Sequence, residues 1–131
     1  MPTHEQMKIG DVEIDVGMEL LLRACWKLGI ETHMSCEGGD TRKETIINEN
    51  GFCLWEEGDI TPMWVSFNEA RHIERFVEIA ERGIRAVDQW LSEEWKFRIA
   101  PGHKGGFQYD IWIPATQKRL IEKIFSKEAI L

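Results

Sequence analysis

The residue types best suited to do chemistry lie together in one short turn, residues 35–39, with the sequence SCEGG. A thiol in such a turn becomes a nucleophile when backbone amides and a nearby cation stabilise its thiolate. Cys36 is therefore a candidate nucleophile and Glu37 a candidate acid or base, with Arg42 or His33 as the cation. The opposing interpretation is structural, with Cys36 packed beneath the turn as a small apolar side chain while its neighbours hold the loop by hydrogen bonds.

The same turn is suited to bind a ligand without catalysis. Ser35, Gly38 and Gly39 would offer hydrogen bonds and a close backbone approach, and Arg42 would supply positive charge. Cys36 would then pack the turn. We therefore predict that these five residues bind the ligand. The leading hypothesis is a binding domain for a small anionic or planar molecule, or for a partner protein.

A metal site is not expected. His33 and Cys36 are spaced as His-x-x-Cys, and Cys53, His72 or His103 could complete a ligand set. In a regular strand, however, residues three apart point to opposite faces, and the other candidates lack the tight paired spacing of zinc modules. The sequence predicts no metal ion and identifies no cofactor.

Hydrophobic periodicity predicts the elements that position this turn. A short strand around Val12 and Ile14 comes first. A helix then runs from Asp15, which would cap its free amides, to a stop at Gly29. Residues 30–34 are predicted to form a strand that delivers the turn to the edge of a sheet, where ligands of α/β proteins bind.

The rest of the chain continues the same pattern. Further strands and helices are predicted over residues 44–48, 52–55, 62–67, 95–99 and 107–113, and over 68–83 and 116–126 respectively. Asn50-Gly51 is a strong hairpin signal, and Gly83 is expected to end its helix. These elements predict a single α+β domain of two layers, with about three helices on one face of a mixed, largely antiparallel sheet.

Composition limits the compartment and the classes of partner. The net charge of -7 opposes the cationic surface that phosphate backbones require, so nucleic acid is disfavoured. The 3 cysteines at irregular spacing argue against a disulfide framework and for a reducing compartment. No window approaches the roughly 20 apolar residues of a membrane span. We therefore expect a cytoplasmic protein that inserts into no membrane.

The chain is rich in tryptophan for its length. The 6 residues are Trp26, Trp55, Trp64, Trp90, Trp95 and Trp112. If two or three of them stay exposed together, they would form an anchor for a partner or a stacking platform for a planar ligand. If the sheet is covered on both faces, they belong to the core. Their number is the main indication of association, which includes a homodimer.

The segment from the first helix through LGIETHMSCEGG resembles a pattern of small, mostly uncharacterised bacterial and phage-encoded proteins, in which an amphipathic helix leads through a Gly to T-x-x-S-C-x-G. It is also similar to the wybutosine-synthesis tRNA methyltransferase family, whose members carry a Ser-Cys-Ser-Gly-Arg turn after a comparable helix and strand. Ser35, Cys36 and Gly38 match that turn. Glu37 replaces the second Ser, and Gly39 replaces the Arg.

These departures remove the cation that an RNA or sulfonium-cofactor site requires, unless Arg42 replaces it. The resemblance implies a related fold. It also implies an alternative function, a group-transfer enzyme that modifies RNA or uses a sulfonium or nucleotide cofactor, with Cys36 or Glu37 doing the chemistry. A third alternative is a phage-type protein that acts by occupying a host surface, for which acidity and aromatic richness are suitable.

Overall fold

The computed structural model describes residues 5–10, 12–40, 44–47, 53–55, 60–88, 90–102 and 105–130. The elements in chain order are β1 (Gln6–Ile9), β2 (Val12–Asp15), α1 (Glu19–Lys27), β3 (Met34–Cys36), β4 (Gly39–Asp40), β5 (Glu44–Ile47), β6 (Cys53–Trp55), β7 (Ile60–Thr61), β8 (Met63–Phe67), α2 (Ala70–Arg85), β9 (Lys96–Pro101), β10 (Phe107–Ile113) and α3 (Lys118–Ile130). The predicted α+β class is confirmed. No helix among these residues is both long and apolar enough to cross a lipid bilayer.

The main sheet contains four strands in the order β3-β8-β10-β9, and each neighbouring pair is antiparallel. Three smaller antiparallel pairs accompany it, namely β1 with β2, β4 with β7, and β5 with β6. The predicted pairing of residues 44–48 with 52–55 is confirmed for its described part, 44–47 with 53–55, and so is that of 95–99 with 107–113. The Asn50-Gly51 turn itself lies outside the described residues.

Strand alternation decides which face of the sheet forms the core. Met63, Val65 and Phe67 of β8 are fully buried, as are their neighbours Ile111 and Ile113 of β10. These side chains share one hydrophobic cluster with the buried faces of all three helices. Burial of each such side chain contributes about 1.5–3 kcal/mol, so this one face supplies most of the folding energy of the sheet.

An aromatic stack joins the sheet to two of the helices. Phe67 of β8 lies 5.4 Å from Phe76 of α2, measured between ring centroids, and Phe76 lies 4.7 Å from Phe125 of α3 in a stacked geometry. All three rings are fully buried. The positions of α2 and α3 over the sheet are therefore set by one continuous set of ring contacts.

The prediction that Gly83 ends its helix is wrong, because α2 continues to Arg85. Gly83 instead marks the place where α2 and α3 cross. A β-carbon at this position would lie 2.6 Å from two carbons of the Ile124 side chain. The close approach of the two helices outweighs the poor helix propensity of glycine, so tertiary packing and not capping explains this residue.

The first helix begins later than predicted. A short 3₁₀ turn, Val16–Met18, precedes α1, and the Asp15 side chain makes no capping hydrogen bond. Its Oδ2 atom accepts instead from the backbone N–H of Glu37 at 2.9 Å. Asp15 therefore fastens the predicted functional turn to the entrance of α1.

The strand predicted over residues 30–34 is displaced to Met34–Cys36. The backbone N–H of Ile30 still donates to the Cys25 carbonyl at 2.9 Å, so the chain is closing the helix at this point. Gly29 supplies the left-handed conformation that this closure requires, with φ of 79°. The stop at Gly29 is thus confirmed, whereas the strand starts only after the closure is complete.

We expect Gly83→Ala to lower the free energy of unfolding by about 1 kcal/mol, although alanine is the better helix former. The gain in helix propensity is about 1 kcal/mol, and overpacking against Ile124 costs about 1–3 kcal/mol. Urea denaturation measures the difference. In an Ile124→Ala background the same substitution should stabilise the protein, and a stabilising effect in the otherwise native chain would contradict the close crossing.

Cys25 of α1 gives a prediction about pH. Burial raises the pKa of its thiol above the ordinary value near 9. The unfolded chain therefore loses this proton first, so the contribution of Cys25 to stability is fully present below pH 9 and declines above it, by at most about 1.4 kcal/mol per pH unit. Urea denaturation from about pH 7 to 10.5 should show a weaker alkaline decline for Cys25→Ala than for the native chain. Equal declines would contradict the assignment.

Candidate functional site

The second face of the main sheet points away from the helices, and we call it the outer face. Alternate residues of the four strands point to it, and the pairing register arranges them in two cross-strand rows. The first row is Cys36, Trp64, Trp112 and Lys96, and the second is Met34, Ser66, Asp110 and Arg98. Four separate segments of the chain thus contribute to one surface.

A buried carboxylate lies in the second row. Asp110 is fully buried, and its Oδ2 atom accepts from Arg98 Nε at 2.9 Å and from Arg98 Nη2 at 2.7 Å. Gln108 Nε2 donates to the other oxygen, Oδ1, at 2.9 Å. A carboxylate removed from water is stable only when it is paired and hydrogen-bonded, and Asp110 meets both conditions.

Asp110 holds the Arg98 guanidinium in a fixed place beside an aromatic pair. The guanidinium lies over the Trp112 ring, 5.5 Å from its centroid, and Trp112 lies 6.3 Å from its cross-strand partner Trp64. The Arg98 side chain is 56 % exposed, so the group faces solvent although its anchor is buried. Asp110 uses two of the five guanidinium N–H groups. The others have no partner among the described residues and can donate to a ligand.

A cleft of about 540 Å³ opens beside this pair. Its lining residues are Pro62, Glu94, Lys96, Phe97, Arg98, Trp112 and Pro114. The walls therefore combine aromatic and proline rings with two cationic side chains. A flat molecule can lie against the indole in such a cleft while a guanidinium or ammonium group binds its negative end.

Two buried polar atoms of the outer face have no hydrogen-bond partner within the described part of the chain. They are the Ser66 hydroxyl oxygen and the Trp64 indole nitrogen. An unsatisfied buried group costs about 1–3 kcal/mol, and such groups are usually satisfied by an ordered water or a bound molecule. Both atoms lie on the strand next to Trp112 and Asp110.

The structure separates the predicted turn residues. Cys36 lies on the outer face opposite Trp64, whereas Ser35 lies opposite Val65, whose side chain points into the core. Both Ser35 and Cys36 are half-buried. Gly39 pairs through its backbone with Thr61. Arg42 lies outside the described residues, so its proposed role as the cation stays a prediction.

Gly38 lies very close to a neighbouring segment of backbone, as the sequence predicts for a glycine at this position. It has φ of 64°, and a β-carbon there would lie 2.4 Å from the Thr61 carbonyl oxygen and 2.5 Å from that of Pro62. Gly38 therefore approaches the backbone of the chain itself, whereas the sequence predicts a close approach to a ligand. Because Pro62 also lines the cleft, the turn packs against a residue of the cleft wall.

Glu37 is held by several elements at once. Its backbone N–H donates to Asp15, and its Oε2 atom lies 3.7 Å from the Lys118 ammonium at the start of α3. The carboxylate also fills the space beside Gly17, where a β-carbon would lie only 1.6 Å from Oε2. These contacts give Glu37 a structural role that joins the turn to the segment before α1 and to the start of α3.

The tryptophans divide between the two predicted roles. Trp95 is buried and donates to Gln117 Oε1 at 2.7 Å, so it belongs to the core. Trp26 is half-buried and donates to the Thr32 hydroxyl. Trp64 and Trp112 lie together on the outer face, and Trp90 is exposed elsewhere. The side chain of Trp55 lies outside what the structure describes.

A second concave surface lies on the helix side of the sheet, between α2 and β9, and we call it the α2–β9 groove. Its volume is about 580 Å³. It is lined by Ala70, Ile73, Glu74, Val77, Glu78, Glu81, Phe97, Arg98, Ile99 and Tyr109. Phe97 and Ile99 are 55 % and 68 % exposed. Alternation in the sequence predicts that they share a face with the core, but it gives no sign that the helices leave them uncovered.

In comparisons with known proteins, the chain matches no family model, no curated protein and no solved structure. Across the described ranges, no group of three or more His, Cys, Asp and Glu side chains is placed to hold a metal ion. His103 and the side chain of Cys53 lie outside those ranges.

We expect Asp110→Asn to lower the free energy of unfolding by about 2–4 kcal/mol, because it leaves Arg98 without its charged partner and removes an acceptor from Gln108. Tryptophan fluorescence should change as well, since Arg98 is no longer held over Trp112. Glu93→Gln is the control, because this exposed acid should change stability by less than about 0.5 kcal/mol. Equal stability of the two variants would contradict the anchoring role.

Proposed function

We propose that this protein is a binding domain that takes a small planar molecule with a negative group in the cleft on its outer face. The observation that carries the proposal is the Arg98 guanidinium, which buried Asp110 holds over the Trp112 ring at the wall of that cleft. A ligand would find both a stacking surface and oriented donors without further ordering of these side chains. Such preorganisation lowers the entropic cost of binding.

The dimensions of the cleft support a small molecule. Pockets for small ligands usually have volumes of about 300–1,000 Å³ and combine apolar walls with a few placed polar groups. The cleft on the outer face, at about 540 Å³, lies inside that range. Trp112 and the proline rings provide the apolar walls, and Arg98 and Lys96 provide the polar groups.

Electrostatics favour short-range recognition over long-range attraction. The net charge of -7 repels an anion at a distance. Within the cleft, Lys96 forms no ion pair with a described residue, and Glu94 is the single acid of the lining. Capture of the ligand therefore depends on stacking and directed hydrogen bonds.

The turn predicted from the sequence, residues 35–39, lies beside this site. Cys36 continues the row of Trp64 and Trp112, and Gly38 packs against the backbone of Pro62, which lines the cleft. Direct contact of Ser35, Gly39 and Arg42 with a ligand stays a prediction.

The test is titration with adenosine monophosphate and flavin mononucleotide, followed by tryptophan fluorescence and thermal unfolding. We expect at least one probe to raise the melting temperature, because a ligand that prefers the folded state stabilises it by mass action. Trp112→Ala should weaken binding about 5- to 150-fold, the range for loss of one stacked ring. Lys96→Ala should weaken adenosine monophosphate but not uncharged adenosine.

Trp90→Ala is the matched control, since Trp90 is 61 % exposed but does not line the cleft. It should bind the probes as the native chain does. The proposal is wrong if neither probe shifts unfolding at millimolar concentration, or if Trp112→Ala and Trp90→Ala weaken binding equally.

A further inference from the structure

Strand β9 is the edge of the main sheet among the described residues, because it pairs with β10 on one side and with no described strand on the other. The residues that it turns toward the helices, Phe97 and Ile99, are largely exposed, and so is Phe107 of the adjoining strand at 60 %. Unpaired backbone therefore lies directly beside apolar surface. Such an edge is a template for pairing with another strand.

We propose that a second copy of this chain pairs with β9, edge to edge and antiparallel, so that the two main sheets continue as one. Identical antiparallel strands are related by a two-fold axis and present the same surface to each other. An axis perpendicular to the sheet keeps the helices of both copies on the same side. It also brings Phe97 and Ile99 of each copy against the apolar row of the other.

Charge disfavours two of the central registers, even though Asp110 offsets part of the Arg98 charge. With the axis at Arg98, the guanidinium groups of the two copies would lie directly opposite each other. With the axis at Phe97, Lys96 would lie opposite the partner's Arg98. Like charges in directly opposed positions destabilise an antiparallel pair, so neither register is favoured.

The axis at Ile99 avoids both conflicts. Each Arg98 then lies opposite the partner's Ala100, and each Lys96 lies opposite the partner's Gly102, just beyond the strand. Ile99 lies opposite its own copy on the helix side. Among the registers centred on Phe97, Arg98 and Ile99, the alternation of β9, with cations on the outer face and apolar residues on the other, therefore favours the one centred on Ile99.

The exposed apolar side chains supply nearly half of the area that a dimer of standard size buries on each partner. The exposed parts of Phe97, Ile99 and Phe107 amount to roughly 350 Å² per copy, at about 200 Å² for a whole side chain of this size. The backbone of β9 and the walls of the α2–β9 groove, which include Ile73 and Val77, add to this area. About 800 Å² per partner is typical of stable complexes, and homodimer interfaces are the more apolar ones.

The acids along the groove do not prevent this association. Glu78 pairs with Arg75 at 3.2 Å, and Glu81 pairs with Arg85, so two of these acids are neutralised by arginines of their own helix. The groove therefore presents little unbalanced negative charge to a second copy. The groove should therefore bind a strongly basic peptide more weakly than its three acids, Glu74, Glu78 and Glu81, would suggest.

Analytical ultracentrifugation of the full chain tests the proposal. At about 100 µM we expect a dimer, and Ile99→Lys should raise the dissociation constant at least about tenfold, because it places two ammonium groups together at the axis. Val87→Lys is the matched control, since Val87 is 64 % exposed but lies beyond the end of α2. It should dimerise as the native chain does. A native chain that stays monomeric, or equal effects of the two substitutions, would overturn the proposal.

Disulfide cross-linking tests the register in a chain with Cys36 and Cys53 replaced by serine. Ile99→Cys should cross-link on mild oxidation, because the Cα atoms of directly opposed residues lie about 4.5–5.5 Å apart, and a disulfide joins Cα atoms about 4.4–6.8 Å apart. Phe97→Cys should not, because its two copies would be offset by four residues, about 13 Å along the strands. Equal cross-linking at both positions, or none at either, would overturn the proposed pairing.

Discussion

The register between β8 and β10 fixes both faces of the main sheet at once. Because side chains alternate along a strand, the pairing that sets Val65 beside Ile111 in the core also sets Trp64 beside Trp112 on the outer face. A slip of one residue would exchange the two faces and bury the polar row against the helices. The apolar contacts that stabilise the fold therefore also align the candidate binding site.

The charged centre of the outer face depends on the same pairing. Asp110 is fully buried on a central strand, and it tolerates burial because Arg98 and Gln108 lie within hydrogen-bonding distance of its two oxygens. The ion pair in turn orients Arg98 over Trp112. A structural requirement, the satisfaction of a buried carboxylate, thus produces a preorganised cation at the cleft.

The helix layer determines what the sheet leaves open. The stack of Phe67, Phe76 and Phe125 holds α2 and α3 together, and Gly83 allows their close crossing against Ile124. The helices leave the helix side of β9 uncovered, so its apolar residues stay accessible. The same placement of α2 and α3 therefore closes the core over β8 and β10 and leaves a groove beside β9.

The sequence by itself determined the class of fold, most element positions and the two hairpin pairings, because helical and strand periodicities and short connecting loops are local properties of the chain. It also indicated Cys36 and the tryptophans as candidate site residues. Asp110, the one charged residue of FQYDIWI, is the sequence feature that points to a buried ion pair with Arg98. Only the tertiary structure decided that Gly83 is a crossing point, that Cys36, Trp64 and Trp112 share a row, and that β9 lies at the edge of the main sheet among the described strands. These features depend on pairing register and helix placement, which are contacts between distant segments that no local pattern records.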